Sequence, residues 1–139
     1  MTDTYALAGK TAIVTGGGKG LGKTLARFLL EAEMNVAICG RTETAVKQTV
    51  EQLDALFPGN VIGQVCDVSK SADVASFVRK VKDTFGELHV LINNSGFGKE
   101  TLIWETSEKA WDEVMDTNVK GTFLMCKEVV PHMINNKEG

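Results

Sequence analysis

The sequence is poor in several features that would indicate a particular class of protein. It has three cysteines, Cys39, Cys66 and Cys126, an odd number without a CxxC pair. This argues against a disulfide framework or a cysteine-based zinc site, so we expect no metal and a reduced, cytoplasmic compartment. The N-terminus has no apolar signal core, and no apolar run is long enough to cross a bilayer. We therefore expect no membrane association.

The chain also lacks a surplus of positive charge, because the formal net charge is -3 and the pI is about 5.4. Proteins that bind nucleic acids usually carry a basic surplus, so a nucleic-acid partner is disfavoured. What is present is the composition of one soluble domain, with 43% hydrophobic and 24% charged residues. No repeat or linker divides the chain, and we treat residues 1–139 as one domain with no second domain.

Short apolar runs alternate with segments whose apolar residues recur at helical spacing. The strand candidates are "KTAIVT", "NVAIC", "VIGQVC" and "LHVLIN". Three amphipathic helices are predicted between them, with apolar faces formed by Leu21, Leu25, Phe28, Leu29 and Ala32, then Val46, Val50, Leu53 and Phe57, then Val74, Phe77, Val78, Val81 and Phe85. Residues 106–135 also have a helical pattern, with Trp111, Val114, Met115, Val119, Phe123, Cys126 and Val130 on the apolar side and Gly121 as a kink or a close-packing point.

This alternation indicates an α/β fold in which helices cover both faces of a parallel sheet. We predict a Rossmann-type doubly wound sheet in an αβα three-layer arrangement. The chain ends in "NNKEG", where a loop would lead into the next strand, so we expect the fold to be incomplete at the C-terminus. The fourth strand would then have an open edge, which a partner chain, a dimer or a covering segment would have to protect.

The stretch "TGGGKGLG" lies between the first strand and the first helix. Its spacing is TGxxxGxG, with Thr15, Gly16, Gly20 and Gly22, and not GxGxxG; Gly18, Lys19 and Leu21 lie between them. A glycine loop before a helix lets a phosphate approach free backbone N–H groups and the positive end of the helix dipole. We predict a nucleotide phosphate site here, while a simple tight turn is the alternative.

The second strand ends in "ICGRTE", where dinucleotide-binding folds usually carry an acidic residue for the ribose hydroxyls. Gly40 occupies that place and Arg41 follows it, while Lys19 lies in the glycine loop. Two cations without a carboxylate favour NADP(H) over NAD(H), because a carboxylate would repel the 2′-phosphate. The alternative is that Arg41 and Lys19 are ordinary surface charges.

Four motifs together resemble the N-terminal half of the short-chain dehydrogenase/reductases. They are "TGGGKGLG", "CDV" at 66–68, "NNSG" at 93–96 and "NVKG" at 118–121, and the resemblance extends from Lys10 to the end. The branch resembling 3-oxoacyl-carrier-protein reductase looks nearest, together with the enoyl- and dienoyl-CoA reductases. Four motifs in register are more specific than any one of them.

The resemblance implies roles for particular residues. Asp67 would contact the adenine with Val68 beside it, Asn93 would pin the central sheet, and Asn118 would interrupt a helix and hold a water of the proton relay as a catalytic residue. The backbone of Asn94, Ser95 and Gly96 would pass close to the cofactor, with serine standing where the family usually has alanine. Alternatives remain: Asp67 could cap a helix beginning near Ser69, and Asn94 could be a turn residue.

The family transfers a hydride between a nicotinamide and a carbonyl or alcohol carbon, using a serine, a tyrosine and a lysine that belong to its C-terminal half. Tyr5 is the single tyrosine of this chain, and Gly9 stands where a YxxxK motif would have lysine. His89 and His132 are more easily explained as structural than as catalytic residues.

Three functions follow as hypotheses. The first is the cofactor-binding part of an NADP(H)-dependent oxidoreductase with a small carbonyl or acyl-thioester substrate, expected to form a homo-oligomer. The second is a non-catalytic nucleotide-binding sensor or regulatory module. The third is a structural or interaction domain whose glycine loop is only a turn. Whichever hypothesis holds, Phe97, Leu102, Ile103 and Trp104 could form an apolar wall of a substrate site, but packing is the role we expect for Trp104 and Trp111.

Overall fold

The computed structural model describes residues 6–139, and Tyr5 lies outside them. The strands are β1 (Thr11–Thr15), β2 (Asn35–Gly40), β3 (Val61–Val65) and β4 (Val90–Ile92). The helices are α1 (Gly20–Glu31), α2 (Glu43–Asp54), α3 (Ser71–Phe85), α4 (Glu108–Met115) and α5 (Gly121–Asn136). A 3₁₀ turn at Ile103–Glu105 precedes α4, and a π-helical segment at Asp116–Lys120 joins α4 to α5.

The four strands form one parallel sheet in the order β3-β2-β1-β4. The core cluster on one face contains Ala26 and Leu30 of α1 and Val46 and Leu53 of α2. The cluster on the other face contains residues of α3 and α5, among them Phe77 and Met125. The predicted three-layer Rossmann-type fold is therefore confirmed, because helices cover both faces of the sheet.

The apolar face of α3 is predicted correctly, since Val74, Phe77, Val78 and Val81 are all buried. The predicted face of α1 is wrong in part. Leu21 and Phe28 are 67% and 63% exposed, and the buried residues are Gly22, Ala26 and Leu30. Small residues face the sheet at the start of this helix because it lies very close to the glycine loop.

The predicted face of the last helical region is also wrong in part, since only Val114, Met115 and Cys126 of it are partly buried. Val119, Phe123 and Val130 are exposed, and the helix α5 packs on the sheet through Gly121, Met125 and Val129. Gly121 proves to be a close-packing point, because a Cβ atom there would lie 2.6 Å from Cγ2 of Val68. The terminal "NNKEG" was expected to be a loop, which is correct for Lys137 to Gly139, although α5 includes its first two residues and ends at Asn136. Trp104 and Trp111 were expected to pack, yet they are 78% and 53% exposed.

Candidate functional site

A cleft of about 440 Å³ lies at the carboxyl ends of the parallel strands. In open α/β sheets this is where ligands bind, and the volume falls in the range of ordinary ligand pockets. The predicted cofactor-contacting residues that line it are Gly16, Gly18, Lys19, Gly20, Leu21, Gly22, Arg41, Asp67, Val68, Asn94, Ser95 and Gly96. The cleft is also lined by Gly40, which the sequence placed beside the ribose, and by Phe97, which it placed in an apolar wall. The lining residues that sequence reasoning did not assign to the site are Thr42, Ala45, Val46, Cys66 and Thr117.

The glycine loop is shaped by positive backbone angles and by close packing. Gly16 and Gly20 have φ values of +66° and +52°, a conformation that side chains rarely adopt. A Cβ atom at Gly22 would lie 2.2 Å from the carbonyl oxygen of Gly16, so this glycine is needed for close approach between helix and loop. Nothing lies within 4 Å of a Cβ built at Gly20, which leaves the start of α1 open to the cleft.

The first turn of α1 has backbone donors available for a ligand. Within residues 6–139, the amide N–H groups of Gly20, Leu21 and Gly22 have no acceptor, and the N-cap residue Lys19 makes no side-chain capping bond. These donors and the helix dipole favour an anion at this position. The arrangement therefore fits a phosphate group of a nucleotide.

Thr15 does not line the cleft but fixes its floor. It is 1% exposed, and its hydroxyl oxygen accepts hydrogen bonds from the backbone N–H groups of Asn94 and Ser95 at 3.0 and 2.9 Å. The side-chain amide of Asn94 donates to the carbonyl oxygen of Thr15 at 3.0 Å. These bonds tie the loop after β4 to the end of β1, so that two walls of the cleft have a fixed separation.

The resemblance implied that Asn93 pins the central sheet. In the structure the residue that does this is Asn94. The Asn93 side chain contacts Sγ of Cys126 at 3.6 Å, which places it against α5. Ser95 lines the cleft, and its hydroxyl has no hydrogen-bond partner within residues 6–139.

Asp67 forms a turn rather than a helix cap. Its Oδ1 accepts from the backbone N–H and the hydroxyl of Ser69 at 3.0 and 2.7 Å, while α3 begins two residues later at Ser71. Burial by itself would raise the pKa of Asp67, but the Ser69 hydrogen bonds and the charges of Arg41 and Lys70 together lower it. Asp67 therefore carries a negative charge at neutral pH.

Asn118 lies in the π-helical segment and fixes the loop after β4. Its Nδ2 donates to the carbonyl oxygen of Phe97 at 2.8 Å, and its Oδ1 accepts from the Phe97 N–H at 3.0 Å. Asn118 is not among the cleft-lining residues, but its partner Phe97 is. The predicted interruption of the helix at this position is confirmed by the π-helical segment.

Two thiols lie beneath the cleft. Cys39 and Cys66 are buried in the same core cluster, and Cys66 also lines the cleft. The hydrogen bond with Cys66, together with burial, raises the pKa of Cys39 well above its usual value. Cys39 is therefore a neutral thiol at neutral pH. Since the thiolate is the reactive form of cysteine, we interpret Cys39 as a packing residue.

His89 lies away from the cleft, where its Nδ1 accepts a hydrogen bond from the backbone N–H of Thr11 at 3.0 Å. This bond joins the start of β1 to the segment before β4, a structural role. No group of three or more potential metal ligands occurs in residues 6–139. In the same residues, none of the helices has both the length and the apolar character required to span a bilayer.

A profile of the short chain dehydrogenase family matches residues 10–139. The chain belongs to this family. The resemblance seen in the four sequence motifs is thereby confirmed, and the family is one of oxidoreductases.

Among related sequences, glucose 1-dehydrogenase 2 of Bacillus subtilis is 37% identical over 131 residues, which are 94% of this chain and 51% of the relative. A 3-oxoacyl-[acyl-carrier-protein] reductase of Chlamydia muridarum is 35% identical over 133 residues, or 96% of this chain and 54% of the relative. The chain therefore spans about half the length of these curated relatives.

Solved structures agree with the sheet topology. A short chain dehydrogenase/reductase from Burkholderia phymatum in complex with NAD superimposes with a TM-score of 0.92 at 32% identity, covering 96% of this chain and 47% of the other. A 3-ketoacyl-(acyl-carrier-protein) reductase from Brucella melitensis complexed with NADH gives a TM-score of 0.89 at 28% identity, covering 94% and 53%.

Proposed function

We propose that this chain is the cofactor-binding part of an NADP(H)-dependent oxidoreductase. The observation that carries the proposal is the cleft itself, in which the free N–H groups at the start of α1 and the Arg41 side chain lie together. A dinucleotide needs both features, one for its pyrophosphate and one near its adenosine ribose. Relatives complexed with NAD and NADH support a nicotinamide dinucleotide as the ligand.

The residues of the glycine loop would hold the pyrophosphate. The backbone N–H groups of Gly20, Leu21 and Gly22 donate hydrogen bonds without any side chain in the way, because Gly20 leaves the approach open. Negative charge is stabilised there by the positive end of the α1 dipole. Gly16 and Gly18 line the same part of the cleft and let the ligand come close to the backbone.

The choice of NADP(H) over NAD(H) rests on the residues after β2. Gly40 stands where an acid would bind the ribose hydroxyls, and the exposed Arg41 lines the cleft beside it. Lys19 is exposed and lines the cleft as well. A guanidinium binds a 2′-phosphate through charge-assisted hydrogen bonds, which a carboxylate at position 40 would oppose. Asp67 and Val68 would contact the adenine.

The bound cofactor would supply or accept a hydride in exchange with a carbonyl or alcohol carbon. In this chain, Asn94, Ser95 and Gly96 line the cleft on the side of β4, where a nicotinamide would lie. Asn118 is proposed as the relay residue, since its two bonds to Phe97 leave the side-chain amide one N–H donor and one oxygen lone pair for a water.

The names of two relatives, a glucose 1-dehydrogenase and a 3-oxoacyl-[acyl-carrier-protein] reductase, suggest the class of substrate. We propose a small carbonyl compound or an acyl thioester. The side chains of Leu102, Ile103 and Trp104 are more than half exposed after β4 and would form an apolar wall for it.

We further propose a cytoplasmic homo-oligomer. Support for an oligomer comes from the exposed apolar side chains Val130 and Ile134 in the C-terminal half of α5. Light scattering coupled to gel filtration would test it, and a monomeric mass at high concentration would contradict it.

Arg41→Asp tests the proposed cofactor. The change removes a charge-assisted contact and adds repulsion, so the Kd for NADPH should rise by about 30-fold or more, while the Kd for NADH should change by less than about threefold. Fluorescence titration of both cofactors measures the two values. Arg79→Asp, at an exposed position on α3, is the matched control. Equal losses for NADPH and NADH in Arg41→Asp would refute the assignment.

A further inference from the structure

Arg41 and Phe97, which lie on two different walls of the cleft, contact each other directly. The guanidinium carbon of Arg41 lies 5.4 Å from the centroid of the Phe97 ring. Arg41 follows β2 and Phe97 lies in the loop after β4, and these strands flank β1 on its two sides. The pair therefore crosses over the end of β1, above the site proposed for the nucleotide.

The distance is within the range of a cation–π interaction, in which a cation is attracted to the face of an aromatic ring. Both residues line the cleft. A stacked guanidinium keeps its N–H donors free in its own plane, so a ligand competes with this ring only if it draws Arg41 away from Phe97. A group bound on the β2 side of the cleft would do so, because Phe97 lies on the β4 side.

The two partners differ in their freedom to move. The Phe97 backbone is held at both its N–H and its carbonyl by the Asn118 side chain, and Phe97 is half-buried. Arg41 is exposed, its guanidinium lies at the end of a long side chain, and the preceding residue is Gly40. When the contact breaks, Arg41 is the residue that moves and Phe97 remains in place.

Arg41 lies over Phe97, and a phosphate held on the ribose side of the cleft would require the side chain to turn away from the ring. We propose that Phe97 is a specificity-determining residue that competes with a nucleotide 2′-phosphate for Arg41. The proposal rests on the proposed function, in which Arg41 binds that phosphate. It implies that the chain's preference for 2′-phosphorylated nucleotides is weaker than Arg41 alone would produce.

The experiment uses two ligands that differ only in the 2′-phosphate, adenosine 2′,5′-bisphosphate and 5′-AMP. Calorimetric titration gives the ratio of their Kd values for the wild-type chain and for Phe97→Leu. Removing the ring frees Arg41 and should increase the preference for the bisphosphate by about two- to fivefold, the range expected for one exposed cation–π contact. A ratio that is unchanged or reduced would overturn the proposal.

Phe123→Leu is the matched control. Lys127 lies 5.9 Å from the Phe123 ring on α5, so this variant removes the same kind of contact outside the cleft and should leave the ratio unchanged. An equal rise in the ratio for Phe123→Leu would also count against a specific role for Phe97.

Arg41→Gln separates failure of this inference from failure of the proposed function. If Arg41 binds the 2′-phosphate, Arg41→Gln lowers the preference for the bisphosphate, and Phe97→Leu added to it has no further effect. A preference that does not depend on Arg41 would refute the proposed NADP(H) site itself. Dependence on Arg41 without any effect of Phe97→Leu would refute only the competition.

Discussion

Strands β1 and β4 are neighbours in the sheet, yet every residue of β1 is buried and every residue of β4 is only half-buried. In the described chain β1 pairs on both sides, whereas β4 pairs only with β1. The same contrast extends to the helices, since α4 has no buried residue and α1 to α3 each have at least three. The most deeply buried part of the molecule is thus the part that shapes the glycine loop.

This difference predicts in which region substitutions should lower the stability of the protein most. The phosphate end of the cleft is built on a closed core and on contacts between backbone atoms. The segments after β4 carry large exposed apolar side chains, including Ile103, Trp104 and Phe123. We expect substitutions in the first region to lower stability strongly and matched substitutions in the second to have little effect.

The largest contrast is expected between two phenylalanines. Phe77 is fully buried in α3, and Phe123 is 58% exposed on α5. Phe77→Ala should lower the free energy of unfolding by about 4 kcal/mol because it leaves a cavity in the core. Phe123→Ala should lower it by less than about 1 kcal/mol. Urea unfolding measures both, and similar losses would break the comparison.

Two glycines provide a second contrast. A Cβ at Gly22 would overlap the Gly16 carbonyl, while nothing lies within 4 Å of a Cβ at Gly98. Gly22→Ala should therefore cost about 3 kcal/mol through overpacking against backbone that cannot easily move. Gly98→Ala should be close to neutral. Thermal unfolding followed by circular dichroism checks this, and a stable Gly22→Ala protein would show that the loop is less tightly packed than described.

Two adjacent asparagines test which of them pins the sheet. Asn94→Ala removes the bond to the Thr15 carbonyl and leaves a partly buried acceptor without its partner, so stability should fall by about 2 kcal/mol. Asn93→Ala removes only a long contact to a sulfur atom and should have a smaller effect. The reverse order in chemical unfolding would restore the role that the family resemblance gave to Asn93.

The smallest effect concerns pH. The pKa of Asp67 is lowered in the folded chain, so its ionised form contributes stability above the unfolded pKa of about 4. That contribution is lost as the pH falls through the lowered folded value. Asp67→Asn should therefore make unfolding less dependent on pH below about 4. An unchanged acid profile for Asp67→Asn would contradict this.

The order of strands and helices could be predicted from the sequence because apolar runs and helical spacing persist along the chain. The face of α3 was predictable because its large apolar residues form one stripe. In α1 two stripes satisfy the same spacing, one through Leu21 and Phe28 and another through Gly22 and Ala26. The structure buries the smaller residues, because the close approach of α1 to Gly16 requires a glycine there.

The residues of the cleft were largely predictable, since glycines and polar residues at strand ends indicate where loops converge. The contact between Arg41 and Phe97 was not, because it joins residues 56 positions apart whose meeting depends on strand order. The structural role of Thr15 could not be predicted from the sequence either. A threonine at the end of a buried strand gives no signal that its hydroxyl accepts two backbone hydrogen bonds.

The most direct test of the account is calorimetric titration of NADPH into the wild-type chain, Gly20→Asp and Gly59→Asp. Both glycines have positive φ and open space, but Gly59 follows α2 and lies outside the cleft. A carboxylate at position 20 would occupy and repel the phosphate site at the start of α1. We predict saturable binding to the wild type and to Gly59→Asp, with affinity at least about tenfold lower for Gly20→Asp. Equal binding by all three proteins, or no saturable binding by the wild type, would contradict a pyrophosphate site in this cleft.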